Sequence, residues 1–194
     1  MDTTPRGPVP PSLPAGLPAP VDDGGADHLA AQRLPDLAFP STDGGEINLA
    51  QAAEAQVLYV FPRIGRPGEA DITGWDDVPG ARGCTQQSCA FRDRLQEFSD
   101  LGYTVAGLSA QTLEDLAEAA QRLHLAFPLL ADPARRLGEA LDLPTFGIAG
   151  MTFYKRLTLV ARNGRIIEAF YPVFPPDESP EAVLAWLRAA PRAG

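Results

Sequence analysis

Residues 55–61 read AQVLYVF, an unbroken apolar, β-branched and aromatic run that predicts a strand buried on both faces. Upstream, LPDLAFPSTDGGEINLA (34–50) predicts two short strands around the turn Asp43-Gly44-Gly45. Downstream, residues 84–101 carry helical periodicity, with Phe91, Leu95 and Phe98 on one apolar face and Gly102 closing the helix. Residues 103–109 (YTVAGLS) predict a strand. Residues 112–125 predict a helix with Leu113, Leu116, Ala120 and Leu123 inward, and FPLLAD (127–132) a short strand. Asp132-Pro133 predicts a helix start, with Asp as cap and Pro at the first helical position. RLTLVARNGRIIEAFY folds back at Asn163-Gly164, the strongest short hairpin signal. Ser179-Pro180-Glu181 predicts the cap of a last helix whose apolar residues are Val183, Leu184, Trp186 and Leu187.

The order is hairpin, strand, helix, strand, helix, strand, helix, hairpin, helix. Strand–helix–strand crossovers imply a parallel portion of sheet with helices on its faces, and the late hairpin adds antiparallel strands. The expectation is an α/β protein of thioredoxin-like fold: a mixed central sheet flanked by helices, opened by an N-terminal β-hairpin.

Composition adds limits. The chain has 194 residues, 45% of them hydrophobic, enough for one domain with a real core. Seven of the first twenty residues are Pro, so residues 1–27 read as an extended arm and residues 28–194 as the domain. The arm contains overlapping P-x-x-P matches at residues 8–14, read either as a docking segment for an aromatic groove or as a solvated or surface-draped arm. Order is expected from near Leu34. A net charge of −9 argues against nucleic-acid and anionic-membrane partners. No apolar run approaches the roughly 18 residues of a membrane span. Pro and Gly interrupt every apolar step of the N-terminus, unlike a secretory signal. The expected location is the cytoplasm, where a purely structural disulfide is unusual. Residues 62–83, rich in Gly, Pro and Asp, form a loop long enough to be functional.

The only two cysteines, Cys84 and Cys89, lie just after that loop, where the helical pattern begins. A thiol in a first helical turn faces free backbone N–H groups and the positive end of the dipole, which favour the thiolate; Arg82 adds to this if it points inward. On an ideal helix, five residues place the two Cα atoms roughly 8.7 Å apart. That exceeds the ~7 Å reach of a disulfide, so bridging would require the first turns to unwind. Two buried small hydrophobes remain the bland reading. Zinc would need His28 and His124, which lack finger-like spacing. The phosphatase Cys-x5-Arg pattern fails at Ala90, and the only realistic base for a Cys–His hydrolase, His124, reads as a partly buried helix-end residue.

LPDLAFPSTDGGEINLA, VLYVFP, GCTQQSCAFRD, VAGLSAQTLEDLAEAAQRLHLAFPLLAD and KRLTLVARNGRI together resemble the peroxiredoxins, closest to the Q type, also called bacterioferritin comigratory proteins. The resemblance covers roughly residues 34–186. It implies a thiol-dependent peroxidase with an antioxidant role, needing no metal, haem or flavin. It makes Cys84 the peroxidatic nucleophile, Cys89 the resolving thiol of an intramolecular disulfide, and Arg156 the residue that polarises the peroxide. Gln87 becomes a support of that arginine. The implied partners are hydrogen peroxide or organic hydroperoxides and a thioredoxin-like dithiol reductant, in a monomer or weak homodimer.

One departure is plain. The family places a Thr or Ser three residues before the nucleophile, where this chain has Ala81, and a Pro seven before it, where this chain has Asp77. Pro62 follows the strand as the family's Pro does, but about fifteen extra residues, roughly 65–78, stand between it and Cys84. Thr73 and Thr85 are the candidate replacements for the hydroxyl. A thiol–disulfide oxidoreductase or redox sensor with weak peroxidase activity is the alternative function. A binding module using the Pro-rich arm on the same scaffold is a third.

Overall fold

The structure, a computed structural model, describes residues 7–190; the first six residues of the predicted arm and the last four of the chain lie outside the described residues. Its elements are β1 (Ala38–Pro40), β2 (Glu46–Asn48), β3 (Ala55–Val60), α1 (Cys84–Asp93), α2 (Leu95–Asp100), β4 (Thr104–Ser109) and α3 (Leu113–Arg122). There follow β5 (Leu129–Ala131), α4 (Arg136–Leu141), β6 (Thr145–Ile148), β7 (Met151–Tyr154), β8 (Leu157–Arg162), β9 (Arg165–Phe170) and α5 (Ser179–Ala189).

The central sheet has the order β5-β4-β3-β8-β9. β3, β4 and β5 run parallel, β8 is antiparallel to β3, and β9 pairs antiparallel with β8. This is the expected mixed, thioredoxin-like sheet. β3 sits at its centre, and its alternation divides the core. Val57 and Tyr59, with Phe61 just past the strand, join Phe91, Phe98, Leu116, Val183 and Leu184 of the helices α1, α2, α3 and α5. Leu58 and Val60 join Leu29, Phe39, Leu137 and Leu141 on the opposite face. Each fully buried side chain of this size contributes about 1.5–3 kcal/mol, so the strand that leads to the cysteines is fixed from both sides.

Several boundaries differ from the sequence pattern. The predicted helix over the cysteines is two helices, broken at Arg94, whose N–H closes a tighter turn on Phe91 O at 3.3 Å. The Asp132 carboxylate does accept from the N–H groups of Arg136 and Leu137, at 2.8 and 2.9 Å. The helix nevertheless starts at Arg136, because Arg135 adopts a left-handed conformation (φ 54°) and turns the chain first. Leu113, expected inward, is exposed; Leu116, Ala119 and Leu123 form the buried face of α3. The hairpin β6–β7 was missed by the pattern. Order also begins before Leu34, since Ala26 and Leu29 are already buried. No helix among the described residues is long and apolar enough to cross a membrane.

β6–β7 belongs with the inserted loop. Trp75, in a single 3-10 turn of the loop, packs edge-on against Phe153 with centroids 5.1 Å apart, and tilted against Phe146 at 5.8 Å. Ala81 completes this third apolar cluster. The insert is therefore anchored by its own small core beside α1.

Candidate active site

The loop after β3 delivers the chain to Gly83, which precedes α1 with φ 108°. A Cβ there would stand 2.3 Å from Pro176 Cγ, so only glycine allows both this backbone and the close approach of the turn before α5. Cys84 is the first residue of α1 and 3% exposed. Its Sγ lies 3.1 Å from Arg156 Nη2 and 3.7 Å from the carbonyl oxygen of Ala81.

Arg156 lies in the two-residue link between β7 and β8, just before the strand expected to carry it. It is 3% exposed, held by acceptors rather than by a carboxylate. Nη2 also donates to the carbonyls of Ala81 and Arg82, at 3.1 and 3.2 Å, while Nη1 donates to Gln87 Oε1 at 2.5 Å. Its Nε is the one buried side-chain N or O atom among the described residues without a partner. Gln87, fully buried, donates its amide to Ser179 Oγ at 3.3 Å, and Ser179 lies 3.4 Å from Thr158 Oγ1. Ser179 is thus not the predicted helix cap: Glu178 holds that position, and the serine hydroxyl turns inward to orient Gln87.

The missing hydroxyl has no side-chain substitute. Thr73 is exposed, Thr85 is half-buried, and neither bonds Cys84 among the described residues. The Ala81 methyl is buried with Trp75 and Phe153, while its carbonyl faces the thiol and the guanidinium. Arg82 does not turn inward as the charge argument allowed; it pairs with Asp71 at 2.7 Å and with Asp76 at the loop surface. That guanidinium holds the Asp71 carboxyl below its ordinary value.

Cys89 is 1% exposed and packed in the core with Tyr59 and Phe91. Both cysteines are free thiols. Burial pushes the Cys89 thiol above its ordinary pKa, so the wound helix keeps it protonated and unreactive. One turn earlier than Phe91 lies a tether invisible in the sequence: Ser88 Oγ meets the buried Tyr59 hydroxyl at 2.9 Å. Nothing local marked Ser88, Thr158 and Ser179 for these roles, because each acts through a partner remote in the chain. His124 is exposed at the end of α3, and His28 bonds the Leu141 carbonyl at 2.8 Å. No group of three or more His, Cys, Asp or Glu side chains among the described residues is placed to hold a metal.

A cavity of about 130 Å³ opens over Cys84, lined by Thr85, Gln86, Arg63, Asp71, Trp75 and Arg82, with Pro11 of the arm on its rim.

A thioredoxin-like sheet ending in a helix whose first residue is a buried cysteine, with a buried arginine on its sulfur, defines a thiol-based redox protein. The Redoxin family model matches residues 29–184, and the chain belongs to that family, as a peroxiredoxin of the Q type. It is similar to peroxiredoxin Bcp of Bacillus subtilis, 28% identical over 78% of this chain and 90% of the relative. Peroxiredoxin Bcp of Escherichia coli K12 is 27% identical over 82% of this chain and 95% of the relative. Among solved structures, Xanthomonas campestris peroxiredoxin Q superposes with a TM-score of 0.66 at 25% identity, covering 82% of this chain and 97% of that one. The class of reaction is thiol-dependent peroxide reduction, an oxidoreductase activity.

Proposed function

We propose that this chain reduces hydrogen peroxide and other small, polar hydroperoxides through Cys84, with Cys89 as the resolving thiol and a thioredoxin-like dithiol as reductant. The observation that carries the reading is the 3.1 Å approach of Arg156 Nη2 to Cys84 Sγ, both side chains being buried at the foot of the small cavity. The Cys84 thiolate attacks one peroxide oxygen, the O–O bond breaks, and the departing oxygen leaves as water or alcohol after taking a proton. Arg156 and the free N–H groups of the first turn of α1 face the developing charge on the oxygens. Cys84 is then a sulfenic acid. α1 unwinds, Cys89 loses its proton as it leaves the core, and its sulfur displaces water from the sulfenic acid to form the disulfide. Exchange with the dithiol restores both thiols. Gln87 positions Arg156, and Thr85 contributes to the pocket wall without touching the sulfur. A cycle in which a dithiol restores both thiols suits a reducing compartment, the cytoplasm.

The cavity over Cys84 sets the substrate. At about 130 Å³ it is smaller than the ~300 Å³ at which pockets for drug-sized ligands begin. Its charged walls give an aryl or long alkyl group nothing apolar to replace its contact with water except Trp75 and Pro11. In a thioredoxin-coupled assay, kcat/KM for hydrogen peroxide is expected to exceed that for cumene hydroperoxide by roughly tenfold or more, the scale of one or two unfavourably placed carbon groups. Equal rates, or preference for the bulky peroxide, would contradict this account of the pocket.

A further inference from the structure

The Pro-rich arm lies along the very helix that must unwind. Gln86 Nε2 donates to Pro11 O at 2.7 Å, in the first turn of α1. Arg92 Nη1 donates to Pro8 O at 3.3 Å and to Leu123 O at 2.7 Å, tying the last turn of α1 to both the arm and the end of α3. Gly7 is buried beneath that guanidinium: a Cβ on it would stand 2.4 Å from Arg92 Nη1 and 3.0 Å from Leu123 O. Leu13 packs at the N-terminal end, where its Cδ2 would lie 3.1 Å from a Cβ on Gly83. Further along, Pro20 packs beside Gly80, and Asp23 pairs with Lys155 at 2.5 Å and accepts from the Tyr171 hydroxyl at 2.6 Å. The arm is thus fastened at both ends of α1 and again behind the Arg156 link.

We propose that residues 7–13 are a positioning element of the peroxidase reaction, a clasp that holds α1 wound while Cys84 reacts and must leave when Cys84 and Cys89 bridge. The clasp presupposes the resolving role proposed above for Cys89. Two backbone carbonyls of the arm accept from side chains six residues apart on α1, Gln86 and Arg92. Cys89 lies between those two anchors. Withdrawing Cys89 from the core changes the spacing between them, so both arm bonds cannot persist in the bridged form. An extended Pro backbone is well suited to such a clasp, because its carbonyls are free of internal hydrogen bonds and its stiffness keeps them in register with the helix. The clasp therefore favours the wound helix, in which Cys84 attacks peroxide, and slows the step from sulfenic acid to disulfide. A longer-lived sulfenic acid is more often oxidised again, to the sulfinic acid.

The test compares the full chain with a variant lacking residues 1–13 and with a full-length Leu13→Glu variant, which sets a charge against Gly83 and Pro176. Stopped-flow fluorescence and quenched mass spectrometry separate Cys84 oxidation from disulfide formation. Both variants are expected to form the disulfide about tenfold faster, equivalent to ~1.4 kcal/mol, the worth of a pair of ordinary hydrogen bonds. They are also expected to accumulate less sulfinic acid at high peroxide. In the wild type, the Leu13 methyl NMR signals, which report its packing beside Gly83, should shift and sharpen on oxidation and return on reduction. An unchanged disulfide step in both variants, with unchanged Leu13 methyl signals on oxidation, would overturn the clasp. Retention of two titratable thiols after peroxide in every protein would instead overturn the resolving role of Cys89, and the clasp with it.

Discussion

Cys84→Ser will abolish peroxide turnover. Serine keeps the size of the side chain and leaves Arg156, Gln87 and the Ala81 carbonyl in place, so the site geometry survives the change. What is lost is the nucleophile: sulfur attacks a peroxide oxygen far more readily than a hydroxyl does, and among the described residues a serine here has no general base to take its proton. The histidines cannot serve, since His28 is engaged with Leu141 O and His124 lies exposed at the end of α3. A thioredoxin-coupled assay is expected to read the no-enzyme background. Cys89→Ser is the informative contrast, because it should still consume one equivalent of peroxide and stop at the sulfenic acid. Turnover by Cys84→Ser at the wild-type rate would remove Cys84 from the mechanism.

Arg156→Met will cost roughly 10²–10³-fold in the second-order rate of Cys84 oxidation, the scale for removing one preorganised donor to a developing oxyanion. Methionine fills the space of the stem but supplies no N–H. Lysine is expected to rescue little, because its single ammonium cannot reach Gln87 Oε1, two loop carbonyls and Cys84 Sγ together. The same change leaves buried carbonyls unpaired, which costs about 1–3 kcal/mol each and lowers stability. Thermal unfolding run beside stopped-flow oxidation separates the two effects. A folded Arg156→Met protein that oxidises within about threefold of wild type would rule out the donor role, since that is under 1 kcal/mol.

The sequence exposed what rests on local pattern. AQVLYVF became the central strand β3 because its alternate residues fill two cores at once. Asn163-Gly164 became the β8–β9 turn because both residues adopt positive φ, 50° and 70°. Cys84 at a helix start was legible from the glycine-rich loop before it and the periodic residues after it. The contacts that finish the site were not legible, because they join residues far apart in the chain. Ser179 looked like a helix cap, as serines before helices usually do, yet its hydroxyl is taken by Gln87. Ala81 looked like a missing function, because residue type reveals side chains and not where a carbonyl points. The strands β6 and β7 carry a weak pattern of their own and are fixed by Trp75, which arrives from the insert. The arm read as a surface-draped or solvated segment, and nothing in its prolines specified Gln86 and Arg92 as its anchors.

The central claim is that a buried Cys84 and a buried Cys89, both in α1, are coupled by unwinding into one redox pair. Its most direct test is to titrate the fully reduced chain with one equivalent of hydrogen peroxide and then count thiols and map the products by mass spectrometry. The expected result is loss of both titratable thiols in a monomeric product two hydrogens lighter, with the bridge mapped to Cys84 and Cys89. A product that keeps the Cys89 thiol, with Cys84 held as a sulfenic acid or bridged to a second chain, would contradict it.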